Sequence, residues 1–173
     1  EEQSLKGTFR LAVLPTIAPY LLPRFFQQLS EKHTDLDIRM LEMKTAPTMA
    51  ALQNGEIDAA IIANQPTESY LQGDILYYEQ FFGYVAHNES IFKKDLIRTA
   101  DINDERLWLL DEGHCFRDQL MRFCQMEKVK VRQAAYRLGS LETFMRMVES
   151  GNGITFIPEL ATLQLSKEQK ELV

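Results

Sequence analysis

The sequence predicts an α/β protein built from two βαβ-type lobes with a cleft between them. Short apolar segments alternate along the chain with longer segments of helical periodicity. Near residues 77–84 the pattern changes to a longer aromatic segment, which we interpret as the passage from a first lobe (residues 1–80) to a second (residues 81–173). A chain of 173 residues with a hydrophobic content of 45% is long enough to bury the core of one domain or of two small lobes.

The first lobe is predicted to contain three strands and two helices. Phe9–Leu14 is a short apolar strand, and Pro19–His33 is an amphipathic helix that begins with proline, a residue favoured in the first turn. Leu36–Met43 alternates in the manner of a half-buried strand. Pro47–Asn54 predicts a helix that the following glycine ends, and the apolar segment Ile57–Ala63 predicts a buried strand.

The second lobe is predicted to begin after an aromatic strand, Tyr77–Tyr84, and to contain helices over Cys115–Glu127 and Ser140–Glu149. Three further apolar segments are predicted strands: Leu107–Asp111, Ala134–Leu138 and Ile154–Ile157. Ligands of such open sheets bind beyond the carboxyl ends of the strands. We therefore expect residues that follow strands in the two lobes, Thr16 and Thr45 in the first and residues 111–117 in the second, to converge on the cleft.

The only two cysteines of the chain, Cys115 and Cys124, stand at the two ends of one predicted helix. The apolar residues at helical spacing in this segment are Phe116, Leu120, Met121, Phe123 and Cys124. Cys115 should lie in or near the first turn, where unpaired backbone N–H groups and the helix dipole favour an anion such as a thiolate. In a full helix the two Cα atoms would be roughly 13 Å apart, whereas a disulfide tolerates at most about 7 Å. A disulfide between them would require the helix to unwind.

The two cysteines have different neighbours. Two cysteines in a cytosolic protein are most often inert, small apolar residues. His114, Arg117 and Asp118, however, place polar and cationic groups of the kind that lower a thiol pKa around Cys115. Cys124 follows Phe123 on the apolar stripe, which predicts a buried position. This asymmetry is typical of an attacking thiol and a resolving thiol.

Several segments resemble the peroxide-sensing LysR-type transcriptional regulators. The most specific is Gly113–Gln119, reading Gly-His-Cys-Phe-Arg-Asp-Gln, together with Cys124 and with Ser140–Thr143. Leu14–Pro23 resembles the family's first strand, turn and helix, and Gly151–Pro158 resembles its late glycine-rich strand. These last two motifs occur in many LysR effector domains and are less specific.

The resemblance implies a type 2 periplasmic-binding-protein-like fold, that of a LysR effector domain. It also implies a non-enzymatic function, in which hydrogen peroxide oxidises Cys115 and a Cys115–Cys124 disulfide switches a transcription factor that controls antioxidant genes. The residues it implies for peroxide binding or thiolate stabilisation are Thr16, Thr45, His114, Arg117 and Asp118. On chemistry alone, a threonine after a strand is commonly a turn or cap residue, and His114 is equally consistent with a surface histidine.

The resemblance further implies partners for the whole protein. We expect an amino-terminal winged helix-turn-helix that binds DNA, and a carboxy-terminal tail with a further strand and helix, neither of which this chain carries. We also expect contact with RNA polymerase, a homodimer that becomes a tetramer in the full-length protein, and reduction by a glutaredoxin or thioredoxin. Phe26 on the first helix and Met40 on the following strand are the expected dimer-interface residues. No cofactor and no metal are expected.

Charge and hydropathy agree with a cytoplasmic protein. The formal charge of −6, without a long basic run, argues against nucleic-acid binding by this fragment itself. No apolar run approaches the ~20 residues that cross a bilayer, and no signal-peptide pattern opens the chain. We therefore expect no membrane partner.

Three other classes of function are alternatives for this sequence. A thiol peroxidase would use similar cysteine chemistry, but the chain lacks a peroxiredoxin-like Pro-x-x-x-Thr-x-x-Cys arrangement before Cys115. A small-metabolite-binding LysR effector domain or a solute-binding protein would share the two-lobed fold and would carry convergent charged groups in its cleft. A zinc site formed by His114, Cys115 and Cys124 would lack an evident fourth ligand.

Overall fold

The computed structural model describes residues 6–64, 66, 68–123 and 139–173. The chain divides into two compact units, Glu1–Ile75 and Leu76–Val173. The sequence had placed this division between residues 80 and 81. Among the described residues, none of the helices combines the length and apolar character needed to cross a bilayer.

The first unit is a parallel sheet of three strands connected by two helices. Its elements, in chain order, are β1 (Gly7–Val13), α1 (Ala18–Lys32), β2 (Leu36–Glu42), α2 (Thr45–Gln53) and β3 (Ala59–Ile61). The strand order β2-β1-β3 puts β1 in the centre, and both of its neighbours run parallel to it. The five elements predicted for this lobe, and the α/β class, are confirmed.

The burial pattern explains this arrangement. The carboxyl half of the central strand is apolar on both faces, and Ala12 and Val13 are fully buried. The second helix, α2, packs on the sheet through Ala51, which joins Ala12 and Ile57 in a buried cluster. The strand β3 is shorter than the predicted Ile57–Ala63, since the Asp58 carboxylate accepts the Arg10 backbone N–H at 2.7 Å in place of a strand carbonyl.

The second unit contains a short antiparallel pair of strands among its described residues. Its elements are β4 (Phe81–Val85), two 3₁₀ turns (Thr99–Asp101 and Asp104–Arg106), α3 (Cys115–Phe123), α4 (Leu141–Glu149), β5 (Ile154–Pro158), α5 (Glu159–Thr162) and α6 (Lys167–Lys170). The register runs from Phe81 opposite Pro158 to Val85 opposite Ile154. Ser140 caps α4 by accepting the Thr143 backbone N–H.

Two predicted strands of this unit need correction. The predicted strand Tyr77–Tyr84 begins only at Phe81, because β5 ends at Pro158 and the backbone N–H of Gln80 donates to the Glu159 side-chain carboxylate at 3.2 Å instead of to a strand carbonyl. Tyr78 is exposed. Among the described residues, the predicted strand Leu107–Asp111 makes a single parallel bridge, from Leu107 to Ile154. The backbone N–H of Trp108 donates to the carbonyl of Ile154 at 2.8 Å, and the carbonyl of Trp108 accepts the Thr155 side-chain hydroxyl at 3.0 Å. The predicted strand Ala134–Leu138 and residues 124–127 of the predicted helix Cys115–Glu127 lie outside the described residues.

The carboxy-terminal segment, for which the sequence predicted no element, is anchored to the second unit. The backbone N–H of Val85 in β4 donates to the carbonyl of Leu172 at 2.7 Å. The carboxylate of Glu149 accepts hydrogen bonds from Gln169, Arg146 and Tyr84. Burial alone would raise the pKa of Glu149, but these hydrogen bonds outweigh it and hold the pKa below its usual range.

A second cluster fixes the segment that precedes the cysteine-bearing helix. The Glu89 carboxylate accepts from the Arg106 guanidinium and from the backbone N–H of Gly153, the latter at 2.9 Å. The indole of Trp108 donates to the carbonyl of Asn152 at 2.7 Å and stacks on Phe144 of α4, with centroids 6.1 Å apart. The extended segment from Leu107 onward is therefore held at its amino-terminal end.

Candidate functional site

The site begins where this buried segment ends. Leu107–Leu110 is almost wholly buried, and the chain then turns through residues 111–114 into α3. Gly113 lies in this turn with a φ of 88°, a conformation that glycine adopts without strain. Because of this turn, Cys115 lies at the start of the helix.

Cys115 is the first residue of α3, as the sequence predicted. Its side chain is 6% exposed, and it is not part of a disulfide. The carbonyl of His114 accepts the Asp118 backbone N–H at 3.3 Å, which makes His114 the capping residue. The first N–H groups of a helix have no partner within the helix and stabilise a nearby negative charge. This position suits a thiolate.

His114 is buried and lies against a carboxylate. Its side chain is 9% exposed, and its Nε2 atom lies 3.2 Å from Oδ1 of Asp111. The carboxylate restricts the orientation of the imidazole directly before Cys115. Sequence reasoning did not single out Asp111, although its spacing of three residues from His114 across a glycine turn was the available signal.

Arg117 and Asp118 occupy different environments. The Arg117 guanidinium donates to the carbonyl of Leu110 at 2.9 Å and so ties α3 to the preceding segment. Asp118 is exposed in the first turn of α3, where a carboxylate interacts favourably with the helix dipole. Their roles towards the thiol stay predictions.

The buried face of α3 is formed by Phe116 and Leu120 as well as Cys115. The ring of Phe116 contacts that of Phe81 in β4 edge to face, with centroids 4.8 Å apart. The prediction that Phe123 belongs to the apolar stripe is wrong, because this side chain is 58% exposed. Phe123 has helical spacing from Phe116 and Leu120, but those two side chains are buried and Phe123 is not, so that apolar spacing along α3 does not by itself give burial.

Cys124 lies outside the described residues. The predicted separation of the two cysteines along one helix therefore stays a prediction. From Cys115 to Phe123 the chain is helical, as the sequence predicted for this part of the segment.

The two threonines implied for peroxide binding both follow strands of the first unit. Thr16 is 5% exposed and lies in the turn between β1 and α1. Thr45 is the first residue of α2, and its Oγ1 atom is buried without a hydrogen-bond partner among the described residues. An unsatisfied buried hydroxyl costs about 1–3 kcal/mol, and a polar ligand would relieve that cost.

Within the part of the chain that the structure describes, no three His, Cys, Asp or Glu side chains form a group that could hold a metal ion. The zinc alternative includes Cys124 and therefore falls outside the described residues.

Comparison with known families identifies the chain. The model of the LysR substrate binding domain matches residues 2–173. The chain belongs to this family. The type 2 periplasmic-binding-protein-like fold class inferred from the resemblance is thereby confirmed.

Solved structures of LysR substrate-binding domains include close relatives. OxyR from Porphyromonas gingivalis is 57% identical, with a TM-score of 0.87 over 96% of this chain and 76% of that one. The reduced form of the OxyR regulatory domain from Pseudomonas aeruginosa is 31% identical, with a TM-score of 0.81 over 94% and 78% of the two chains. The resemblance to the peroxide-sensing LysR-type regulators is confirmed.

A curated relative carries a name of the same kind. The probable hydrogen peroxide-inducible genes activator of Mycobacterium leprae is 35% identical over 162 residues, which are 93% of this chain and 52% of that protein. The chain thus spans about half the length of the curated relatives that it matches.

Proposed function

We propose that this chain is the hydrogen peroxide-sensing regulatory domain of a LysR-family transcription regulator. The observation that carries the proposal is the placement of Cys115, a buried thiol at the first position of a helix, beside an imidazole held by Asp111. The printed names of its relatives, hydrogen peroxide-inducible genes activators, support the same signal. In this proposal Cys115 is the peroxide-reactive residue.

The first chemical step is a two-electron oxidation of Cys115. The thiolate attacks one oxygen of hydrogen peroxide, the O–O bond breaks, and hydroxide leaves and takes up a proton to become water. Cys115 becomes a sulfenic acid. We assign Thr16, Thr45 and His114 the role of hydrogen-bonding the peroxide and the departing hydroxide. The unsatisfied hydroxyl of Thr45 supports its part in this assignment.

The second step resolves the sulfenic acid. The Cys124 thiolate attacks the sulfur of Cys115, an S–S bond forms, and the sulfenic oxygen leaves as water. A helix that continued to Cys124 would have to unwind before the two sulfurs could meet. The repacking around residues 115–130 is then the signal.

The remaining functions belong to the whole protein. The repacking would alter a dimer or tetramer and so the spacing of helix-turn-helix domains on DNA, which would change transcription of antioxidant genes by RNA polymerase. A glutaredoxin or thioredoxin in the cytoplasm would reduce the disulfide. In this proposal the domain acts as a sensor and not as a peroxidase.

A thiol count before and after peroxide tests this proposal. The reduced protein carries two cysteines, and one equivalent of peroxide should convert both thiols into one intramolecular disulfide. Alkylation followed by intact-mass measurement should show two alkylated thiols before treatment and none after it. Protein treated with peroxide that catalase has already destroyed is the control. Retention of both thiols in treated protein would contradict the proposal.

The proposed dimer gives a separate prediction. Phe26 on α1 is 39% exposed and Leu41 on β2 is 38% exposed, while Met40 is half-buried. Exposed apolar side chains on a neighbouring helix and strand are typical of a self-association surface. We expect Phe26→Asp to convert a dimer into a folded monomer.

Light scattering with circular dichroism checks this prediction. Gln28→Asp, which adds the same charge at another exposed position of α1, is the matched control and should stay dimeric. An unchanged mass for Phe26→Asp, or loss of its helical spectrum, would show that Phe26 is not an interface residue.

A further inference from the structure

An aromatic pair joins the cysteine-bearing helix to the antiparallel sheet of the second unit. Phe116 directly follows Cys115, is 5% exposed, and lies edge to face against Phe81, with an interplanar angle of 72°. This is one of the preferred geometries of aromatic rings, because the positive edge of one ring meets the negative face of the other. Phe81 is the first residue of β4 and is paired with Pro158 of β5, so the strand pairing fixes one side of the contact.

Phe116 lies in the segment that must change when the proposed disulfide forms. A helix that ran from Cys115 to Cys124 would hold the two Cα atoms roughly 13 Å apart, beyond the ~7 Å that a disulfide tolerates. Cys115 is buried in the first turn of α3, and Phe116 is the next residue in the chain. Unwinding of this first turn would take Phe116 away from Phe81, which the pairing of β4 with β5 holds in place.

We propose that Phe81 is a positioning residue of the redox switch, whose ring contact with Phe116 exists only in the thiol form and favours that form. This inference rests on the proposed Cys115–Cys124 disulfide and adds the residue that sets its stability. A contact present in one of two states shifts the equilibrium between them by its own free energy. Phe81 touches neither sulfur, so its effect falls on the disulfide equilibrium and not on the first reaction with peroxide.

Arg117 contacts a different part of the second unit. Its guanidinium donates to the carbonyl of Leu110, which lies in the segment before the helix and outside β4 and β5. Leu120 is buried one turn further along. Among the described residues, the ring contact to Phe81 is the aromatic contact that ties α3 to a paired strand.

The test measures the disulfide equilibrium against dithiothreitol. Reduction adds two electrons and two protons to the Cys115–Cys124 bond, while dithiothreitol loses them and closes to its cyclic disulfide. Phe81→Leu keeps an apolar side chain but removes the ring contact. We expect about a 2- to 10-fold shift towards the disulfide, which is a reduction potential about 10 to 30 mV more negative. Alkylation and mass measurement at a series of buffer ratios give the equilibrium constant.

The matched control is Phe82→Leu, which makes the same change on the neighbouring residue of β4 and should shift the equilibrium by less than twofold. A double-mutant cycle with Phe116→Leu isolates the ring pair. In the Phe116→Leu background, Phe81→Leu should have no effect beyond that of Phe82→Leu. An equal shift in both backgrounds, or no shift in either, would overturn the inference.

The design separates this inference from the proposed function. The rate of sulfenic acid formation at Cys115, measured in a Cys124→Ser background, should be the same with Phe81 and with Leu at that position. A protein that forms the disulfide in dithiothreitol buffers but ignores peroxide would refute the proposed sensing function and leave the Phe81 shift measurable. Absence of the disulfide at every buffer ratio would refute both.

Discussion

Cys115→Ser is expected to abolish peroxide consumption by the protein, whereas Cys124→Ser should preserve the first reaction and accumulate a sulfenic acid at Cys115. The reason is that attack on peroxide and resolution of the product are separate steps carried by different sulfurs. The structure gives Cys115 the helix-terminal position beside His114 that suits a reactive thiolate. Peroxide loss per mole of protein, and mass addition by a sulfenic acid-specific dione probe, measure the two steps.

The double variant that lacks both cysteines sets the background for these measurements. Cys115→Ser should match that background within error, because serine at this position is not a nucleophile without a strong base. Cys124→Ser should consume about one peroxide per protein and retain the probe label. Equal loss from both single variants would contradict the assigned order of attack and resolution.

Gly153→Ala should destabilise the second unit by about 3 to 5 kcal/mol, a large part of the ~5–15 kcal/mol typical of a domain. Gly153 has a φ of 82°, and a Cβ atom there would meet the carbonyl oxygen of Arg106 and lie 3.0 Å from Nε1 of Trp108. The backbone oxygen cannot rotate away as a flexible side chain would. The clash would also disturb the Gly153 N–H bond to Glu89. The midpoint of urea unfolding measures the loss.

Gly151→Ala is the matched control for this variant. Gly151 has a φ of 89°, but a Cβ atom there would meet no other atom within 4 Å. The control therefore carries the backbone strain alone, about 1–2 kcal/mol. If both variants lose the same stability, the close approach of Arg106 to Gly153 contributes nothing, and strain accounts for the whole effect.

The elements of the first unit could be predicted from the sequence because their signals are local. Proline at the start of α1, the glycine after α2 and the apolar character of β1 each depend on a few neighbouring residues. The start of β3 could not be predicted in this way. It depends on the Asp58 carboxylate meeting the Arg10 amide, two residues far apart in the chain.

In the second unit, more of the structure depends on contacts between residues that are far apart in the chain. Leu107–Asp111 has the composition of a strand, but among the described residues its one bridge joins Leu107 to Ile154, a residue far along the chain. The carboxy-terminal segment is anchored partly through Glu149. The three side chains that donate hydrogen bonds to Glu149 come from β4, α4 and α6. The periodicity of a sequence reflects neighbouring residues, so it does not predict hydrogen bonds between residues that are far apart in the chain.

In the candidate site, too, the features set by neighbouring residues could be predicted and the contacts between separate elements could not. The position of Cys115 in the first turn could be predicted because Gly113 and His114 directly precede it and apolar residues at helical spacing follow it. The contact of Phe116 with Phe81 joins residues from separate elements, and only the folded chain reveals it. The exposure of Phe123 likewise does not follow from its helical spacing to Phe116 and Leu120, both of which are buried.

Trp108 is the single tryptophan of the chain, and it lies in the second unit stacked on Phe144. Its emission therefore follows the environment of that unit without any label, whereas circular dichroism averages over the whole chain. During denaturation the two spectroscopic curves superimpose only if both units lose their structure together. The protein thus carries an internal optical probe that distinguishes cooperative unfolding of the whole chain from separate melting of its two units.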